Sequence, residues 1–395
     1  MKKRPKIRIF LVAGEHSGDR LGGPLMAALK RRLKGRAVFS GVGGEVMEKQ
    51  GLRSLFPMAD VAVMGPVAVA ARLPTILRRV YQTVRAATAF QPDAVVIIDS
   101  PEFTHPIAKR IRRKLPDVPV IDYVSPSVWA WRPGRARRMR VYVDHVLALL
   151  PFEPDAHRRL GGPDCTYIGH PLAESAQKIR TADPRPLARR IGIGRGRPVV
   201  VVLPGSRPNE VERLLPPFGE AIELLARGVK RPHVIIPAVA SLRGRIEQLV
   251  SGWPEPPHLV DSDRDKYAAF RLADAALAAS GTVTLELALA GTPMVVGYRM
   301  DPLAWQLRFL VKARSIVLAN LVLDENVVPE LLQQECTGPL LARHLSPLLR
   351  DSRERRRQVA GMREVARRLA TGRRKPSEMA AEIVVSLAEN GRQLT

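Results

Sequence analysis

Cysteine is nearly absent: Cys165 and Cys336 are the two thiols in 395 residues. Two thiols cannot build a disulfide framework or a four-thiolate zinc site, so both read as buried thiols of a reducing cytoplasm. Long apolar runs are missing too. No stretch reaches about 18 uncharged apolar residues, which excludes a membrane-spanning helix and leaves peripheral contact as the one route to a membrane. The basic start MKKRPK precedes only the strand-length IRIFLVAG, with no cleavage pattern, so no secretory signal is expected. Acidic residues are scarce: 38 Asp and Glu face 63 Lys and Arg, a formal net charge of +25. Such a surplus implies an anionic partner, whether nucleic acid, a membrane surface or a phosphorylated substrate. No nucleic-acid-binding motif accompanies it, so nucleic acid is not expected. A DxD pair beside an apolar strand is also lacking. The nearest sequence, DSDRD (Asp261 to Asp265), reads as a solvated loop. No metal and no cofactor is expected.

What is present is a globular composition, 46% hydrophobic and 26% charged. At about 150 residues per domain the length favours two domains. IRIFLVAG (Ile7 to Gly14), DAVVIIDS (Asp93 to Ser100), VPVIDYVS (Val118 to Ser125) and DHVLALLP (Asp144 to Pro151) are continuous apolar runs of strand length. Strands without polar alternation belong to parallel sheets covered on both faces. GDRLGGPLMAALKRRL between them has Leu21, Leu25, Leu29 and Leu33 at helical spacing. A second such pattern runs through PVVVVLPGSR, HVIIPA, ADAALAASGT and TPMVVGYRM. The expected fold is α/β, two Rossmann-like domains facing a cleft. The divisions are 1–177, a Pro-, Gly- and Arg-rich linker region 178–198, 199–342, and basic exposed helices over 343–395. Arg343 to Lys375 alone carries 12 Arg or Lys against three acids.

Ligands of open parallel sheets bind beyond the carboxyl ends of strands, so the turns there matter most. GEHSGD places Gly14, Ser17, Gly18 and Asp19 at the first strand-to-helix turn, where small residues admit a ligand or simply make a tight, capped turn. Asp99 ends a very apolar strand and suits proton abstraction; a turn-capping aspartate would look the same. LPGSR offers Gly205, Ser206 and Arg207, the last able to pair with phosphate oxygens. ASGTVTLE offers Ser280, Gly281 and Thr282 at a helix start, with Glu286 one turn on. That spacing suits a nucleotide, diphosphate on the helix N-terminus and ribose on the carboxylate. Trp129 and Trp131, among arginines, read first as packing residues. Val63, Met64, Val67, Leu73, Ile76 and Leu77 alternate with Arg72, Arg78 and Arg79. This is either an amphipathic membrane-contact surface or a core-facing helix with a basic outer side.

LVAGEHSGD, VSPSVWAWR, IGHPLAE, LPGSRPNEV, ASGTVTLE, VGYRM and VPELLQQEC, in this order from about Ile7 to Cys336, resemble the motif set of the lipid-A-disaccharide synthases. The resemblance implies a GT-B-type inverting glycosyltransferase. It would join UDP-2,3-diacylglucosamine to 2,3-diacylglucosamine 1-phosphate, giving a β-1,6-linked disaccharide 1-phosphate and UDP. It implies Asp99 as catalytic carboxylate and a nucleotide site at Gly205, Ser206, Arg207, Ser280, Gly281, Thr282 and Glu286. It also implies active-site positions at Gly14, Ser17, Gly18, Asp19, Asn320 and Gln333. The family's usual proline before that asparagine is replaced in LANLVLDEN. Further implications are a homodimer with exchanged C-terminal segments and a cytoplasmic enzyme, peripheral on an anionic membrane at the inner face of the inner membrane. A UDP-N-acetylglucosamine 2-epimerase is the nearest alternative enzyme; VSPSVWAWR and the apolar-basic segment argue against it.

Overall fold

Runs such as AVVII (Ala94–Ile98) and VVVVL (Val199–Leu203) are fully buried, as β-branched side chains are when helices cover both faces of a sheet. The computed structural model describes residues 5–62, 66–194, 196–228, 231–301, 305 and 312–391. It divides into two compact units, Met1–Pro171 with Thr371–Thr395, and Leu172–Ala370.

The first unit holds a six-stranded sheet: β1 (Ile7–Ala13), β2 (Ala37–Val42), β3 (Ala94–Ile98), β4 (Val120–Tyr123), β5 (His145–Ala148) and β6 (Asp164–Tyr167), ordered β2-β1-β3-β4-β5-β6. Every pairing is parallel. The second unit holds β7 (Val199–Leu203), β8 (His233–Pro237), β9 (His258–Val260), β10 (Ala275–Ala278), β11 (Met294–Tyr298) and β12 (Glu330–Leu332), ordered β12-β11-β10-β7-β8-β9, again all parallel. These are two Rossmann-like folds. In each, strand order reverses at one place, between β1 and β3 and between β7 and β10. A crevice opens there beyond the strand ends.

Two expectations need correction. The Pro-, Gly- and Arg-rich stretch 178–198 contains the end of the helix Leu172–Thr181 and the helix Arg185–Arg190, which bury Ile179 and Leu187. One buried residue per helix is too sparse a period to read against so many arginines. The basic tail is not a separate set of exposed helices. Helix Arg353–Leu369 buries Gln358, Met362, Val365 and Leu369 in the second unit. Helix Pro376–Gly391 returns to the first unit, where Ala380, Ala381, Val384, Val385 and Ala388 join the core under β1. Among the described residues no helix is long and apolar enough to cross a membrane.

Candidate functional site

At the first reversal, β1 and β3 pair through Ala13 and Ile98, so the turns that follow lie side by side. Asp99 (φ +55°) and Ser100 (φ +46°) are both left-handed. Non-glycine residues in that region cost about 1–3 kcal/mol each and gather at functional turns. The strain aims the half-buried Asp99 side chain out of the strand end. Oδ2 accepts from the Ser17 hydroxyl at 2.6 Å, and Oδ1 from the Ser100 backbone N–H at 2.8 Å. The glycines of GEHSGD make this approach possible. A Cβ on Gly14 would lie 2.7 Å from Cβ of Ser100, and one on Gly18 would lie 2.9 Å from the Ile98 carbonyl oxygen.

Asp19 does a different job from its neighbours. It is buried, and its carboxylate accepts the backbone N–H groups of Gly44, Val46 and Met47 at 2.9–3.0 Å. All of these donors lie at the start of the helix Glu45–Glu48. Asp19 therefore fixes the wall of a neighbouring cavity of about 710 Å³ lined by His16, Arg20, Phe56 and Met58 among others. Trp129 is likewise structural: its Nε1 donates to the buried Glu153 at 3.3 Å and its ring meets Phe152 edge-on. Burial pushes the Glu153 carboxyl up to about 7.

At the second reversal, Leu203 pairs with Ala278, and the turns after β7 and β10 adjoin. Gly205 (φ +110°) and Gly281 (φ +146°) hold backbone conformations that other residues rarely adopt. Each turn opens into a helix, Pro208–Gly228 and Val283–Ala290. Together they border a cavity of about 390 Å³ lined by Gly205, Ser206, Arg207, Ser280, Gly281, Thr282 and Glu286, with Glu210 and Lys266. The structure thus gathers all seven residues singled out in the sequence for a nucleotide. Two helix N-termini and an exposed arginine make this crevice attractive to an anion. Glu286 is buried, and Lys266 Nζ lies 3.0 Å from its Oε1. Burial alone would lower the Lys266 pKa, but the Glu286 carboxylate, together with Tyr267 and Asp263, raises the ammonium above its ordinary value.

Lys266 and Glu210 were not singled out in the sequence. Glu210 accepts from the Ser206 N–H at 3.2 Å, Arg207 at 3.0 Å and the Tyr298 hydroxyl at 3.2 Å, so it shapes the whole LPGSR turn. Its presence in LPGSRPNEV was the available signal. Lys266 follows DSDRD, which is not a plain loop: Ser262 caps the helix Asp263–Leu272 by accepting from the Asp265 N–H.

A family model described as lipid-A-disaccharide synthetase matches residues 9–384. The chain belongs to the lipid-A-disaccharide synthase family. It is 50% identical over 389 residues to the lipid-A-disaccharide synthase of Nitrobacter winogradskyi, covering 98% of this chain and 97% of that one. As a member it is an enzyme, a glycosyltransferase. The S. aureus MnaA–UDP co-structure is similar in fold, with a TM-score of 0.63 at 12% identity, covering 98% of each chain. So is a glycosyltransferase from Rickettsia africae ESF-5, with a TM-score of 0.58 at 11% identity, covering 99% of this chain and all (100%) of that one. These likenesses concern fold alone.

Two residues of the synthase motifs are committed to the backbone. Asn320 is fully buried. Its Oδ1 accepts the N–H groups of Val327 and Val328 at 3.0 and 2.9 Å, and its Nδ2 donates to the Val328 carbonyl at 2.9 Å. The expected active-site asparagine thus secures the loop before β12 through bonds that leave little for a substrate. Gln333, left-handed at φ +49°, accepts the Met300 N–H at 2.6 Å and ties the end of β12 to the turn after β11.

Of the residues expected at a membrane, Val63, Met64 and the side chain of Val67 lie outside the described residues. Along the helix Pro66–Phe90, Leu73 (48% exposed), Leu77 (44%) and Tyr81 (54%) form one outward stripe four residues apart. Ile76 packs partly against the core, and Val80 is buried in it. The segment is therefore amphipathic, and Val80 belongs to the core face. Arg79 is not an unpaired cation: it meets Asp60 at 2.5 Å and lies over the Phe56 ring.

Proposed function

We propose that this synthase joins UDP-2,3-diacylglucosamine to 2,3-diacylglucosamine 1-phosphate with inversion, releasing UDP and the β-1,6-linked disaccharide 1-phosphate. The observation that carries the reading is the pair of reversal-point turns, one presenting a hydrogen-bonded carboxylate, the other two glycine-opened helix N-termini beside an arginine.

Asp99 accepts the proton of the acceptor's 6-hydroxyl while that oxygen attacks the anomeric carbon of the donor. The Ser17 hydroxyl and Ser100 N–H, on opposite carboxylate oxygens, fix its direction. Charge grows on the departing diphosphate. Arg207 and the helix starts at Pro208 and Val283 stabilise it, the term that dominates such transfers. Arg207 is already a guanidinium paired with Glu210, so binding diphosphate exchanges one anionic partner for another. Glu286 accepts from the ribose hydroxyls, held in place by Lys266. Gly14 and Gly18 keep the Asp99 turn accessible.

The exposed Leu73, Leu77 and Tyr81 stripe, flanked by exposed Arg72, Arg78 and Arg85, docks on an anionic lipid surface, peripheral at the inner face of the inner membrane, where acylated substrates reside. The enzyme works as a homodimer exchanging its C-terminal segments. The seat for helix Pro376–Gly391, against helix His16–Arg32, is then filled by the partner's copy.

The test is incubation with both diacylated substrates and mass spectrometry of the lipids. A tetraacyl disaccharide 1-phosphate with stoichiometric UDP is the expected product. Epimerised UDP-sugar without a disaccharide would overturn the reading.

A further inference from the structure

We propose that Thr104 is a positioning residue for the transfer: its buried hydroxyl clamps the left-handed turn that presents Asp99. The proposal rests on the reading of Asp99 as the base.

Thr104 stands in the first turns of the helix Pro101–Lys114 and is completely buried. A helical threonine commonly bonds the carbonyl four residues back. Here Oγ1 lies 3.1 Å from that carbonyl, Ser100, but 2.8 Å from the carbonyl of Asp99, which precedes the helix. The hydroxyl thus reaches across both left-handed residues. It works with the Asp99 N–H, which donates to the Tyr123 carbonyl at 3.0 Å and ties the turn to β4. Ser17 and Ser100 orient the carboxylate, but both bonds presuppose that the Asp99 backbone stays left-handed. Aspartate enters this region more readily than most residues, but neither it nor serine prefers it, so two consecutive left-handed residues need contacts to hold them. Without the Thr104 hydroxyl the Asp99 carbonyl loses this donor, and the turn can relax toward commoner angles. The carboxylate then leaves the Ser17 hydroxyl, and displacements of about 1 Å at a reacting group cost on the order of 100-fold in rate.

Thr104→Val keeps the shape and removes the hydroxyl; Thr104→Ser keeps the hydroxyl. With purified full-length enzyme, T104V is expected to lower kcat about 10–100-fold, leaving KM for both substrates and UDP affinity within about twofold, while T104S retains most of kcat. In an Asp99→Asn background, T104V should cost nothing further, because both changes remove the same function. A packing role would instead lower the residual rate of D99N by a similar factor and would not be rescued by serine. If T104V does not fold, Thr104→Ala replaces it in the same scheme. Folded T104V with wild-type kcat, or full additivity with D99N, overturns the proposal. Near-normal turnover by D99N alone overturns instead the reading of Asp99 as base, so the two failures are told apart.

Discussion

The Ser17 hydroxyl donates to Oδ2 of Asp99 at 2.6 Å although the two residues are 82 positions apart in the chain. The contact exists because β1 and β3 are neighbours at the sheet's reversal point, and because two glycines let the turns touch. Gly14→Ala tests the second condition. The new methyl would press on Ser100, whose Cβ would be 2.7 Å away, and displace the Asp99 turn. Turnover should fall at least about 10-fold while calorimetric UDP affinity stays at the wild-type value. A fully active G14A would show that the turn's position is not critical.

In the second unit, Arg207→Ala and Glu286→Ala should each weaken UDP binding by roughly 1.5–3 kcal/mol, the usual worth of a charge-assisted hydrogen bond. Lys266→Met should weaken it as well, because Glu286 loses the ammonium that holds it at 3.0 Å. Isothermal titration with UDP measures all three. Unchanged affinity in every variant, with melting temperatures preserved, would put the nucleotide elsewhere.

The strands read from sequence are the interior ones. The four that were not, β2, β6, β9 and β12, are the edges of the two sheets. AVFSGV, DCTY, HLV and ELL are short or half-exposed, so they lack the unbroken apolar run that marks a strand buried on both faces. The site divides similarly. Asp99, Arg207, Gly205, Ser280 and Gly281 end buried strands and were legible for that reason. Lys266 and Thr104 act through contacts that the chain order does not announce. Asp19 and Asn320 sit in motifs yet serve the backbone, because a buried carboxylate or amide surrounded by free N–H groups satisfies them.

The stripe on helix Pro66–Phe90 predicts vesicle binding that falls with salt but persists in part, since apolar insertion survives screening. Replacing Leu73, Leu77 and Tyr81 with Ser should release the protein from anionic vesicles with little change in melting temperature, because all three lie on the outward face of the helix, about half exposed. Ile76→Ser should instead cost stability, since Ile76 packs against the core. Retention of the triple variant on vesicles would contradict the assignment.

The contribution of His157 to stability should decline in mild acid. Burial holds the His157 imidazole down at about 4, with Nε2 2.9 Å from the Ser125 hydroxyl. Its unfolded value is near 6.5, so the unfolded chain binds the extra proton first. The contribution is complete above 6.5 and is lost as pH falls through about 4, amounting to about 3 kcal/mol. Glu153, raised to about 7 by burial, runs the other way and loses its contribution as pH rises from about 4.5 through 7. Urea melts of His157→Gln should show a cost about 2 kcal/mol smaller at pH 5 than at pH 8. Equal costs at both pH values would contradict the buried neutral ring.

The role proposed for Asp99 is to remove the acceptor's proton. It is tested most directly by quantifying disaccharide 1-phosphate formed by Asp99→Asn under conditions saturating for wild type, alongside UDP titration of the same sample. The amide keeps the size of the side chain and can still accept from Ser17, but it cannot take the proton. With Asp99 as the base, the rate falls by about 10²–10⁴-fold with UDP affinity unchanged; product formation at a near-normal rate would show that another group takes the proton.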